Sequence, residues 1–136
     1  MEKLILKARE LGQAVQESEL YLNMQQKSAL VDTDAGLQDL IGKFNLVKIN
    51  LNNQLQAGEK DQAEVERIQG ELRELYAQIM DNPNMIAFNA AKQEIDGAMT
   101  KVNMILSHAV NGEDPMTMDV DASGCGGSCS SCAGCH

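Results

Sequence analysis

The chain has 136 residues and a formal charge of −9, from 11 Lys and Arg against 20 Asp and Glu. This is the length of one domain, or of one domain with a tail. The charge balance argues against direct nucleic-acid binding, which needs clustered Lys and Arg on the phosphates. No apolar run approaches the ~20 residues of a membrane span.

The charge is unevenly placed. Every Lys and Arg lies between Lys3 and Lys101, whereas the stretch after Lys101 carries four acids and all four cysteines. The segment from Met1 to Glu19 mixes Lys3, Lys7 and Arg9 with Glu2, Glu10, Glu17 and Glu19. It lacks the uninterrupted apolar region of a secretory signal. A cytoplasmic location is therefore expected, where thiols stay reduced. Tyr21, Phe44, Tyr76 and Phe88 are the only aromatic residues, too few to line a large substrate pocket, and the composition disfavours β-sheet.

Five helical segments are predicted, an all-α fold. The first runs from about Glu2 to Gln16, with Leu4, Ala8, Leu11 and Val15 at helical spacing. Ser18 is placed to cap the next, a short helix carrying Leu20, Met24 and Leu30. The Asp32-Thr33-Asp34 stretch interrupts it, and Asp34 can cap the third helix, about Ala35 to Gln56. There Leu37, Leu40, Phe44, Val47, Leu51 and Leu55 recur at steps of three and four, and Gly58 is expected to close the helix in the left-handed conformation. Asp61 starts the fourth helix, whose Val65, Ile68, Leu72, Leu75 and Ile79 form a narrow seam. The two seams predict a long antiparallel hairpin. Arg67 and Glu71 are an i,i+4 pair on its outer face. Asp81-Asn82-Pro83-Asn84 breaks the chain, and Pro83 suits the first turn of a fifth helix reaching about Ala109. Phe88, Ala91, Ile95, Ala98, Val102, Ile105 and Ala109 give that helix its stripe, and Met99 and Leu106 widen it.

This organises the chain as a helical domain over 1–110, an acidic linker over 111–124 and a Cys/Gly-rich tail over 125–136. The linker, NGEDPMTMDVDASG, has little to bury and is expected to be flexible, with a reach on the order of 20 Å.

The tail holds Cys125, Cys129, Cys132 and Cys135 in a C-x3-C-x2-C-x2-C pattern separated by Gly, Ser and Ala. Thiolates are soft ligands for iron–sulfur clusters, zinc and copper(I). Structural zinc sites usually separate two pairs of ligands by a dozen or more residues, and no such gap exists here. Closely nested cysteines favour an iron–sulfur cluster, with zinc or copper, and a redox dithiol or unliganded thiols, as equally weighted alternatives. A dithiol enzyme fits less well, because reactive thiols sit at helix N-termini that lower their pKa, not behind an acidic linker. His136, Met116 and Met118 are further soft donors, with His136 a weaker ligand candidate and the two Met residues read as ordinary linker. His108 reads as a surface histidine at a helix C-terminus. No nucleophile–base arrangement and no phosphate loop are visible, so no catalytic residue is assigned and the chain is expected not to be an enzyme.

Three stretches carry a resemblance. ARELGQAVQESELY (Ala8 to Tyr21), LIGKFNLVKINLNNQLQAG (Leu40 to Gly58) and DNPNMIAFNAAKQEID (Asp81 to Asp96) resemble the first helix, a hairpin arm and the start of the last helix of the YlbF/YmcA family of small helical bacterial proteins, over about residues 2–110. The resemblance implies a regulatory adaptor without catalysis. It further implies assembly with YmcA-like and YaaT-like proteins as a homo- or hetero-oligomer, action on mRNA processing through endoribonuclease Y, and roles in competence, sporulation or biofilm development. It also implies a 4Fe–4S cluster, with Cys125, Cys129, Cys132 and Cys135 as its thiolates here, some of its ligands being open to supply by partner subunits. The rival reading is a zinc or copper carrier built on a helical scaffold.

Overall fold

The computed structural model describes residues 1–58 and 61–121. Among them are five helices and no strand: α1 (Glu2–Glu17), α2 (Glu19–Thr33), α3 (Ala35–Gln56), α4 (Gln62–Met80) and α5 (Pro83–Val110). The chain divides within α5 into two compact units, Met1–Ile95 and Asp96–His136.

Helices α2 to α5 each start at a residue whose side chain accepts from an otherwise unpaired amide of the first turn, whereas α1 starts at Met1 without a side-chain cap. Ser18 serves two helices. Its hydroxyl donates to Val15 O at 2.6 Å, closing α1, and accepts from Tyr21 N at 3.3 Å, opening α2. Asp61 Oδ1 accepts from Ala63 N and Glu64 N. Asn82 Oδ1 accepts from Asn84 N at 2.8 Å and Met85 N at 3.3 Å, which leaves Pro83 at the first helical position, where no N–H is needed.

Asp34 does more than cap. Its Oδ1 accepts from Leu37 N at 3.0 Å. Its Oδ2 accepts from Asn82 Nδ2 at 3.0 Å and Asn84 Nδ2 at 2.9 Å. One carboxylate thus starts α3 and grips the turn between α4 and α5, 48–50 residues away. Gln38 Nε2 reinforces the α2–α3 elbow by donating to Val31 O at 3.0 Å. The apolar cluster lies at the same place: Val31, Leu37 and Ile79 are buried together, and Leu40, Ile41, Phe44, Met85 and Phe88 pack against them.

Helices α3 and α4 run against each other as the predicted hairpin. On α4 the predicted seam is the inner face: Val65, Ile68 and Ile79 are buried, and Leu72 and Leu75 are half-buried. On α3 the seam holds through Leu51 and then departs from expectation. Gln54 is half-buried, whereas Leu55 is 42% exposed. A seven-residue repeat continues from Leu40 and Val47 to position 54, so the polar residue inherits the inner place. Phe44 meets Tyr76 across the hairpin, ring centroids 6.4 Å apart.

Three further expectations are corrected. Helix α2 is not short: it has 15 residues, and its buried side chain is Val31, while Leu30 is 46% exposed. Gly58 does not take the left-handed conformation, because α3 ends through Ala57 in extended backbone (φ −64°, ψ 144°) whose N–H still reaches Asn53 O and Gln54 O. Leu106 faces solvent and does not widen the buried stripe of α5. The remaining polar detail is surface chemistry. Arg67 binds Glu64 at 2.7 Å and Glu71 at 3.3 Å, which holds the Glu64 carboxyl below its ordinary pKa. Such exposed pairs add little stability.

Two predictions follow from the packing. Replacing Ile68, fully buried, by Ala should cost about 2–5 kcal/mol. The same change at Leu55 should stay within roughly 1 kcal/mol in urea denaturation. The second concerns the Asp34 carboxylate, held below the usual aspartate range by the Leu37 amide first and the Asn82 and Asn84 amides next. Its stabilisation is complete above the unfolded value near 3.9 and is lost as pH falls through the lower folded value. Asp34→Asn keeps an acceptor for Leu37 but sets a second NH2 against those of Asn82 and Asn84. It should lower the urea midpoint at pH 7, and Asp34→Ala should lower it further. The gap between wild type and Asp34→Asn should narrow below about pH 4.

Candidate functional site

The predicted thiol ligands Cys125, Cys129, Cys132 and Cys135, together with His136, lie outside the described residues. Among the described residues no group of three or more His, Cys, Asp or Glu side chains could hold a metal ion. The described part of the candidate site is the segment that leads to the thiols, Asn111 to Asp121, and the half of α5 that precedes it.

Helix α5 ends in a left-handed glycine. Gly112 has φ +88°, its N–H donates to Ala109 O at 3.1 Å, and the next amide, of Glu113, reaches back to His108 O at 3.1 Å. This pair of bonds satisfies two terminal carbonyls and reverses the chain. His108, in the last turn, has Nδ1 2.8 Å from Glu113 Oε2.

The segment beyond is built from short carboxylate turns. Asp114 Oδ1 accepts from Met116 N at 2.9 Å, and Asp119 Oδ1 accepts from Asp121 N at 2.9 Å. Both are turns in which an Asp side chain substitutes for a backbone acceptor. Met116 is exposed, while Met118 and Val120 are half-buried. Asp121 then binds Lys101 of α5 through its Oδ1. The thiol-bearing stretch therefore leaves the described structure beside Lys101. The Lys101–Asp121 tie was not anticipated from sequence, since nothing in the order of residues pairs positions 20 apart across a turn.

No helix among the described residues is long and apolar enough to cross a membrane. The apolar surface is instead exposed in patches, at Leu4, Ile5 and Leu11 of α1, Leu46 and Ile49 of α3, and Ile86, Leu106 and Val110 of α5. Helices with uncovered apolar stripes are suited to contact other proteins.

The architecture is that of an all-α regulator. Residues 4–111 match the family described as "Control of competence regulator ComK, YlbF/YmcA", and the chain belongs to that family. No curated protein and no solved structure matched the chain. The matched span takes in all five helices except the start of α1, and ends before the cysteines.

The α5 terminus provides a test of how the chain is reversed toward the thiols. A Cβ at Gly112 would meet nothing within 4 Å, so any penalty for Gly112→Ala comes from the positive φ alone. The substitution should cost about 1 kcal/mol. Hydrogen exchange should show the loss as faster exchange in the last turn of α5, with the α3–α4 hairpin unchanged.

Proposed function

We propose that the chain is a non-catalytic, cytoplasmic regulatory adaptor. It assembles with related helical proteins and carries or shares an iron–sulfur cluster through Cys125, Cys129, Cys132 and Cys135. The observation that carries this reading is the extent of the family match: it covers the helical body and leaves a separate four-thiol segment appended to it. The donor set fits a 4Fe–4S cluster, with zinc as the alternative occupant. When bound, the cluster would supply a state that depends on iron, sulfide and redox conditions.

This chain's own residues do the rest. Cys125 is four residues past Asp121, a contour of at most about 14 Å, so a metal bound there stays close to that anchor on α5. Exposed apolar side chains on α1, α3 and α5 supply contact surface for YmcA-like and YaaT-like partners. The net charge of −9 disfavours RNA contact by this chain, so an effect on endoribonuclease Y and mRNA processing would pass through a protein partner. Competence, sporulation and biofilm development are the processes in which such an adaptor would be read out.

Anaerobic purification with iron, sulfide and zinc analysis, run beside a variant with all four cysteines changed to Ser, tests the reading. Wild type should be coloured and contain iron and sulfide, and the variant should lose both together with partner capture. A colourless wild type with stoichiometric zinc would sink the cluster assignment. Partner capture unchanged in a metal-free variant would separate the adaptor role from the thiols.

A further inference from the structure

Asn111 is the one asparagine of the chain that is followed by glycine; the others precede Met, Leu, Asn, Gln, Pro or Ala. Asparagine is among the chemically labile residues. The amide nitrogen of the next residue can attack its side-chain carbonyl carbon, and a glycine leaves that approach free of a Cβ. At Gly112 the surroundings are open as well, since a Cβ built there would meet nothing within 4 Å.

The fold places this pair just past Val110, the last residue of α5, with Asn111 and Gly112 both exposed. The nitrogen that would attack is that of Gly112, and it is held only by its bond to Ala109 O at 3.1 Å. Bonds in a terminal, exposed turn open at low free energy. Asp96-Gly97 has the same spacing in acid form, but it lies in the interior of α5, where freeing the glycine nitrogen means breaking the helix. The chain therefore has one pair with both the sequence and the place for ring closure.

We propose that Asn111 is a site of spontaneous deamidation, and that the reaction releases the cap of α5. The Gly112 nitrogen gives up its proton and bonds to Asn111 Cγ. The side-chain nitrogen leaves as ammonia, taking up that proton, and a cyclic imide remains. Water then opens the ring. Attack at Cγ breaks the new bond and yields Asp. Attack at the main-chain carbonyl breaks the original peptide bond and yields isoaspartate, whose chain runs on through Cγ. The sum is one water consumed and one ammonia released, with no oxidation or reduction.

Both products put a negative charge at the C-terminus of α5, the end where the helix dipole disfavours it, and directly ahead of Glu113 and Asp114. Isoaspartate also inserts one more main-chain carbon before Gly112. The bonds from Gly112 N to Ala109 O and from Glu113 N to His108 O then lose their register. The modification thus undoes, irreversibly, the turn that sends the chain back along its helix. It requires neither a metal nor a partner.

The full chain, kept under reductant at mildly alkaline pH and body temperature, tests this by peptide mapping over time. The peptide holding Asn111 should gain the mass of an amide converted to an acid, and isoaspartyl methyltransferase should label it. Every other asparagine should convert about tenfold more slowly or less. Gly112→Ala loosens the same turn, yet it should slow conversion about tenfold, because the added Cβ crowds the attack. Hydrogen exchange of the aged chain should be faster in the last turn of α5. Asn111→Asp, which adds the charge without the extra carbon, should show a smaller increase. Asn111 that stays intact in the folded chain while it converts in urea overturns the proposal, since the cap would then protect it. Conversion in Gly112→Ala as fast as in wild type overturns the assigned chemistry. Full conversion with unchanged exchange in the last turn overturns release of the cap.

Discussion

The Asp34 carboxylate is the interaction on which the rest of the first unit depends. It accepts three hydrogen bonds, from Leu37 N, Asn82 Nδ2 and Asn84 Nδ2, and so makes one joint of two chain reversals. The apolar residues around it repeat one pattern. Val31 and Leu37 stand three residues before and after Asp34, and Ile79 and Met85 stand three before and after Asn82. Each elbow thus carries a polar capping residue between two apolar ones. When the polar residues bond, the four apolar residues are brought into one cluster. The hydrogen bonds give direction, and burial of the cluster gives most of the stability, because apolar burial is non-directional and cannot by itself choose the angle of an elbow.

From that joint the hairpin follows. Once the start of α3 and the end of α4 are fixed together, the opposite ends need only a short connection, and the two seven-residue seams zip along the intervening length. This accounts for the pattern of burial. The most enclosed side chains, Leu37 and Ile68, are an apolar residue next to the joint and one well along the hairpin. Helix α1 lies beyond the Ser18 elbow and has no fully buried side chain.

Much of this was legible in the sequence. The five helices, the caps at Ser18, Asp34 and Asp61, the Pro83 start and the α4 seam all rest on local chemistry, in which each residue interacts with others three or four places away. What was not legible has one cause. The second oxygen of Asp34 is satisfied by amides some 50 residues on, and sequence order alone assigns no partner at that distance. The same limit explains Leu55 and Gln54: periodicity counts apolar residues, but the inner position is set by the partner helix, which accepts the residue that keeps register. Gly58 and Gly112 show it again. Either glycine could adopt the left-handed end, yet only at Gly112 does the chain double back on its own helix and require it. For the candidate site, the sequence named four thiols by donor chemistry and spacing. The Lys101–Asp121 tie that leads toward them became visible only once α5 and the following turns were in place.

That tie gives the charge asymmetry of the chain a physical meaning. Lys101 is the last base in the sequence and Asp121 the last acid, and they are bound to each other. Past Lys101 no further Lys or Arg follows in the sequence, and Glu113 stands beside His108 instead. An exposed ion pair contributes at most about 1 kcal/mol and weakens as salt rises. It therefore biases where the thiol-bearing stretch begins without locking it. The acidic run is thus turned locally by its own carboxylates and tied to α5 through one exposed ion pair, whose strength falls as salt rises.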